Sequence, residues 1–179
     1  MRQHQPSFLT GILARVGAGL LAAGIGAQVF AAEQATPEAL AAVQEFEYQI
    51  RAKGTDVTAA DYRELGDRYY AIGRVTQAAG AYDQAVKAGA TDRDLLARLA
   101  VLWEASGRVD RALPMFNAAV EAAPEHPEAP DLMLRAAQIT AVIGKNYGRA
   151  VELYQMLVER YPGTAEARRA IVEGYDLAQ

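Results

Sequence analysis

Three stretches of the chain restate one another: ADYRELGDRYYAIGRVTQAAGAYDQAVKAGA (60–90), DLLARLAVLWEASGRVDRALPMFNAAVEAAP (94–124) and LMLRAAQITAVIGKNYGRAVELYQMLVERYP (132–162). The landmarks recur in order. Leu65 matches Leu99 and Ala137, Gly66 matches Ala100, and Tyr69 matches Trp103 and Ala141. Gly73 and Gly107 mark a turn, with Gly144 one residue early in the third copy. Ala78, Ala112 and Ala150 then open a second helix, followed four residues later by Tyr82, Phe116 and Tyr154 and then by Ala85, Ala119 and Leu157.

Ala78 and Ala112 are 34 residues apart, Ala112 and Ala150 38 apart, and the four extra residues fall in the proline-rich connection 124–130. Small residues suit the points where two helices cross closely, and the aromatic fills the space between adjacent hairpins. The glycines permit the left-handed backbone that ends a helix, and Pro124 and Pro162 stop the second helix. A lone helical hairpin cannot bury its apolar stripe, so the copies must stack. On these residues the chain resembles the tetratricopeptide repeat family, with Ala90 in place of the closing proline in copy one.

The resemblance implies an all-α solenoid of about three hairpins (59–92, 93–126 and 131–163), which binds a protein rather than catalysing a reaction. It also implies that the first helix of each hairpin lines a concave groove. Position by position, that lining is Arg63, Asp67 and Tyr70, then Asp94, Ala97, Val101 and Glu104, then Leu132, Arg135, Ile139 and Val142. The family's clamp for a C-terminal carboxylate relies on Lys, Asn and Arg. Asp67 and Val101 stand where Asn is expected, so a chaperone-tail receptor is not the expected role.

Further helices flank the repeats. In the segment 32–58, Thr36 is a candidate N-cap with Pro37 in the first turn, Leu40, Val43, Phe46 and Ile50 share one face, and Gly54 is a stop. Beyond the third copy, 164–179 reads as a capping helix opened by Thr164. Ala167, Ile171, Tyr175 and Leu177 are expected inward, and Glu166, Arg168, Arg169 and Glu173 outward.

The first 31 residues differ in kind. Arg2 and Arg15 are unaccompanied by acids, an apolar stretch begins at Val16, and Val29 and Ala31 place small residues before a cut. This is the order of a Sec-type signal peptide cleaved after Ala31, which makes the protein periplasmic or secreted. An uncleaved N-terminal membrane anchor is the alternative, disfavoured because 16–32 falls short of the roughly 20 residues a spanning helix needs. Cleavage would make the formal charge of −4 two units more negative. An acidic domain with dispersed Lys and Arg argues against nucleic acid and against an anionic membrane surface as partners.

Chemistry has little to work with. There is no cysteine, hence no disulfide, thiolate metal site or thiol nucleophile. His4 and His126 are the only histidines, and His126 lies among prolines with no nucleophile or orienting carboxylate pair at hand. The glycines at 17, 19, 24 and 26 fall in the leader and follow no strand, and Gly144-Lys145-Asn146 lacks the rest of a phosphate loop. No enzyme activity, cofactor or metal is expected. The expected role is a periplasmic adaptor or scaffold that holds an envelope protein in its groove. A self-assembling solenoid, or an accessory subunit of an exported enzyme, is the alternative. The 132–143 segment is apolar almost all round, and its sequence leaves open whether that surface is core or interface.

Overall fold

Side-chain caps written into the sequence set five of the eight helix starts in the computed structural model, which describes residues 36–178. The leader 1–31 and its cut lie outside the described residues. Thr36 accepts the Ala39 N–H at 3.2 Å and opens α1 (Pro37–Ala52). A short 3₁₀ turn, Gly54–Asp56, leads to Thr58, which shares a capping box with Asp61 and opens α2 (Ala59–Ala71). Asp92 caps α4 (Arg93–Ala105), Asn146 caps α7 (Tyr147–Arg160) and Thr164 caps α8 (Ala165–Leu177). Between them lie α3 (Val75–Lys87), α5 (Val109–Ala122) and α6 (Ala129–Val142). Among the described residues the fold is all-α, and none of these helices is long and apolar enough to cross a membrane.

The capping box makes a pH prediction. Lys53 and the Thr58 N–H and hydroxyl hold the Asp61 carboxyl down at about 2, against an ordinary value of 3.8. A depressed carboxyl contributes stability that is whole above its unfolded value and is lost as the pH falls through its folded one. The junction of α1 and α2 is therefore expected to loosen between about pH 4 and pH 2. Asp61→Asn should flatten that part of the acid titration followed by amide exchange across 53–62; an unchanged titration would remove Asp61 as its source.

α2 pairs with α3, α4 with α5 and α6 with α7, and successive hairpins stack, with α1 on α2 and α8 on α7 and α6. Tyr82, Phe116 and Tyr154 are fully buried between the layers, among Ala78, Ala85, Ala112, Ala119, Ala150 and Leu157. Gly66 is small for a reason: a Cβ there would lie 2.4 Å from the Tyr82 ring. Gly73 (φ 70°) and Gly107 (φ 69°) take the left-handed turn position, but in the third copy that position belongs to Lys145 (φ 51°), not to Gly144.

One question left open is answered and one expectation needs correction. The segment 132–143 is core: Leu132, Met133, Leu134 and Ile139 are buried among their neighbours, and of its apolar side chains only those of Val142 and Ile143 reach the surface. α8 is rotated from its expected setting. Ala167 is buried as expected, and Leu177 is half-buried, but Ile171 and Tyr175 are exposed and Glu173 is buried. The cause is a seam of small residues, Ala167, Ala170 and Gly174, that lets α8 lie close against α7. A Cβ on Gly174 would stand 3.2 Å from Tyr154 Cβ. Glu173 is held inside by polar partners.

Candidate functional site

The first helices α2, α4, α6 and α8 are joined side by side by polar side chains. Arg98 of α4 donates to Asp67 Oδ1 of α2 at 2.7 Å and to the Tyr82 hydroxyl at 3.2 Å, and that hydroxyl donates to the same carboxylate at 2.6 Å. One repeat on, Arg135 of α6 donates to Glu104 Oε2 of α4 at 2.5 Å. At the last step Gln138 of α6 donates to both Glu173 oxygens, at 3.2 and 2.9 Å, and the Tyr154 hydroxyl donates to Glu173 at 2.9 Å. Each step thus ties an acid on one first helix to a donor on its neighbour.

Burial separates the members. Glu104 and Glu173 are 4 % and 3 % exposed, so both work inside the protein. Burial pushes the Glu104 carboxyl above its usual range, against the pull of Arg135. Burial likewise raises the Tyr82 and Tyr154 hydroxyls, which are kept as donors by Asp67 and Glu173. Asp67 and Arg98 are partly open to solvent.

The eleven residues expected to line the groove divide on this basis. Arg63, 3.1 Å from Asp92, and Asp94, which pairs with Arg93, are exposed. Asp67, Tyr70, Ala97, Arg135 and Val142 are half-buried. Val101, Glu104, Leu132 and Ile139 are buried and offer no side chain to a partner, which corrects their assignment to an accessible lining. Sequence reading missed Arg98 and Asp131, which add polar surface to the same helices, as does Arg169, placed outward as expected; it also missed the buried roles of Gln138 and Glu173. One signal for the ladder was available: Asp67 to Arg98 and Glu104 to Arg135 are both 31 residues apart.

The accessible face is polar and of mixed sign. It carries Arg63, Arg98 and Arg169 together with Asp67, Asp94 and Asp131, while Val101, Leu132 and Ile139 are buried in the core. Among the described residues no His or acid cluster is arranged to hold a metal ion. His126 is occupied locally, its Nδ1 accepting the Glu128 N–H at 3.2 Å.

Residues 63–127 and 105–165 match the tetratricopeptide repeat, and the two matches together span more than half the chain. No curated protein sequence matches it significantly. Among solved structures, MamA of strain AMB-1 superposes with a TM-score of 0.58 at 14 % identity, over 95 % of this chain and 82 % of that one. MamA of strain MSR-1 gives 0.55 at 14 % identity, over 95 % and 86 %. The second repeat domain of human RPAP3, solved with an HSP70 peptide, gives 0.49 at 16 % identity, over 68 % and 95 %. The likeness to MamA is one of fold. With the landmark residues in register, the hairpins stacked and the family match running from 63 to 165, the chain belongs to the tetratricopeptide repeat family.

Proposed function

We propose that this is a protein–protein interaction adaptor of the bacterial envelope, which holds an extended, charged segment of a partner along α2, α4, α6 and α8. The observation that supports this is the division of labour on the first helices. On α2, α4 and α6 most apolar side chains are spent on the core, and a row of partly exposed Arg and Asp side chains is left facing outward. Such a surface suits polar, reversible recognition more than burial of an apolar helix. The Asp67 carboxylate, already shared by Arg98 and Tyr82, would repel a partner's C-terminal carboxylate, so an internal or basic segment fits better. The envelope location rests on the leader read from 1–31.

The test is affinity capture of the protein from detergent-solubilised envelope of its own cell, beside the double variant Arg63→Glu/Asp94→Lys. Both positions are exposed, so the variant is expected to melt within about 0.5 kcal/mol of wild type. A specific protein retained by wild type and lost by the folded variant supports the adaptor. Retention by both would remove this face as the binding site. Mass spectrometry of the same material is expected to find a mature chain beginning at Ala32; an intact N-terminus at Met1 would remove the cleaved-leader reading.

A further inference from the structure

Among the described residues, no helix lies over the first-helix landmarks of α8. Thr164 caps α8 as Asp92 caps α4 and Thr58 caps α2. Counting from those caps, Ile171, Val172 and Tyr175 take the places of Leu99, Ala100 and Trp103, and of Leu65, Gly66 and Tyr69. In α4 those residues are 0, 0 and 8 % exposed, covered by the second helix of their hairpin. In α8 they are 57, 61 and 68 % exposed among the described residues. Ile171 and Tyr175 line, with Val151 and Val158 of α7, an open groove of about 420 Å³, and Val172 stands beside it. Three adjacent large apolar side chains at that exposure mark an interaction surface.

The opposite end of the solenoid does not match it. The side of α1 that faces away from α2 carries Gln44, Glu45, Gln49 and Arg51 around a single aromatic, Tyr48. Burying those polar groups on an apolar face would leave them short of hydrogen bonds, so head-to-tail stacking is disfavoured. The α8 face does match itself. Ala165, Arg168, Val172 and Tyr175 recur at three- and four-residue steps along its outer stripe, the spacing of a two-helix seam. Arg168 and Asp176 lie four residues either side of Val172, both are exposed, and neither has an ion-pair partner among the described residues, Arg168 donating to the Gly163 carbonyl at 2.8 Å. Two antiparallel copies of α8 related by a two-fold axis at Val172 would set each Arg168 against the Asp176 of the other.

We propose that this end is a self-complementary docking surface for a second copy of the chain, closing a two-fold dimer through Ile171, Val172 and Tyr175 with two Arg168–Asp176 pairs across the axis. An interface that uses the same patch twice closes at two copies. The charged rows on α2, α4 and α6 take no part, so failure of this dimer leaves the adaptor reading standing on those helices, and the reverse holds too.

Sedimentation equilibrium of the full chain is expected to show a dimer that forms with rising concentration and grows no further. Val172→Asp and Tyr175→Asp should each weaken it at least tenfold without changing helicity. Arg168→Asp should weaken it too, and Arg168→Asp/Asp176→Arg should restore it. Because the chain has no cysteine, Val172→Cys is expected to yield a disulfide-linked dimer on oxidation, which provides a second readout in a chain of unaltered charge. The proposal is overturned by a wild type that stays monomeric at all concentrations or grows past two copies. It is equally overturned by a dimer indifferent to Val172→Asp, by one that Tyr48→Asp dissolves, by a charge swap that restores nothing, or by a Val172→Cys chain that stays monomeric.

Discussion

Ile139→Asp is expected to leave no cooperatively folded protein, whereas Val142→Asp, three residues on, is expected to cost only about 1 kcal/mol. Ile139 has 0 % of its surface exposed and sits in the middle of α6, among the helices on either side of it. Truncating such a residue to Ala costs about 2–5 kcal/mol for lost contacts and the cavity left behind. A carboxylate there adds the cost of burying a second acid beside Arg135, which is already paired with Glu104, at least several kcal/mol more. Against a total stability of about 5–15 kcal/mol, the sum consumes most or all of the margin. Val142 is half-buried at the end of the helix, where a carboxylate can turn outward. Thermal melts followed by circular dichroism separate the two cases. A folded Ile139→Asp protein with the wild-type transition would mean that α6 is not packed in the core as described.

The contrast between these neighbours shows which features the sequence carries. Repeated landmarks make the hairpins legible, because the crossing of two helices demands a small residue and an aromatic at fixed offsets wherever it occurs. Leu99 and Trp103 in one copy therefore vouch for Leu65 and Tyr69 in another. The setting of α6 and α8 is not legible that way. α6 is apolar all round because it has helices on several sides, and periodicity cannot distinguish a surrounded helix from a sticky one. In α8 hydrophobicity points the wrong way. Close approach to α7 is set by Ala167, Ala170 and Gly174, which weigh little on any hydropathy scale, while Ile171 and Tyr175 face outward.

The candidate site was half readable for a similar reason. Exposed Arg63 and Asp94 follow from helix position alone. The ladder from Asp67 to Arg98 and from Glu104 to Arg135 joins residues of different repeats, so it depends on how far one hairpin is displaced and rotated on the next. No single-helix pattern carries that displacement. Glu173 shows the same limit, since a glutamate in a terminal helix is normally solvated. It is inside here because Gln138 and Tyr154, from two other helices, supply its hydrogen bonds.

Arg135→Ala is expected to destabilise the protein by about 3–5 kcal/mol at neutral pH, much more than the loss of an exposed ion pair would. Arg135 is 13 % exposed at its side chain and Glu104 only 3 %, so removing the cation strands a carboxylate that water barely reaches. The guanidinium also lies 5.7 Å from the Phe116 ring centroid, and that contact goes with it. Most of the cost comes from the stranded charge, and two further measurements can isolate it. Replacing both residues, as Glu104→Leu/Arg135→Met, should recover most of the loss, because an apolar pair of similar volume needs no desolvation. The pH dependence has a definite sign as well. The Glu104 carboxyl is already raised by burial, and without Arg135 it rises further. A raised carboxyl costs stability while it must stay ionised, and that cost fades as the pH falls through its folded value. The stability gap between wild type and Arg135→Ala, measured by urea denaturation, should therefore narrow from pH 7 to pH 5. A gap that stayed constant with pH, with no recovery in the double variant, would place the contribution of Arg135 in its packing on Phe116 instead of in its charge.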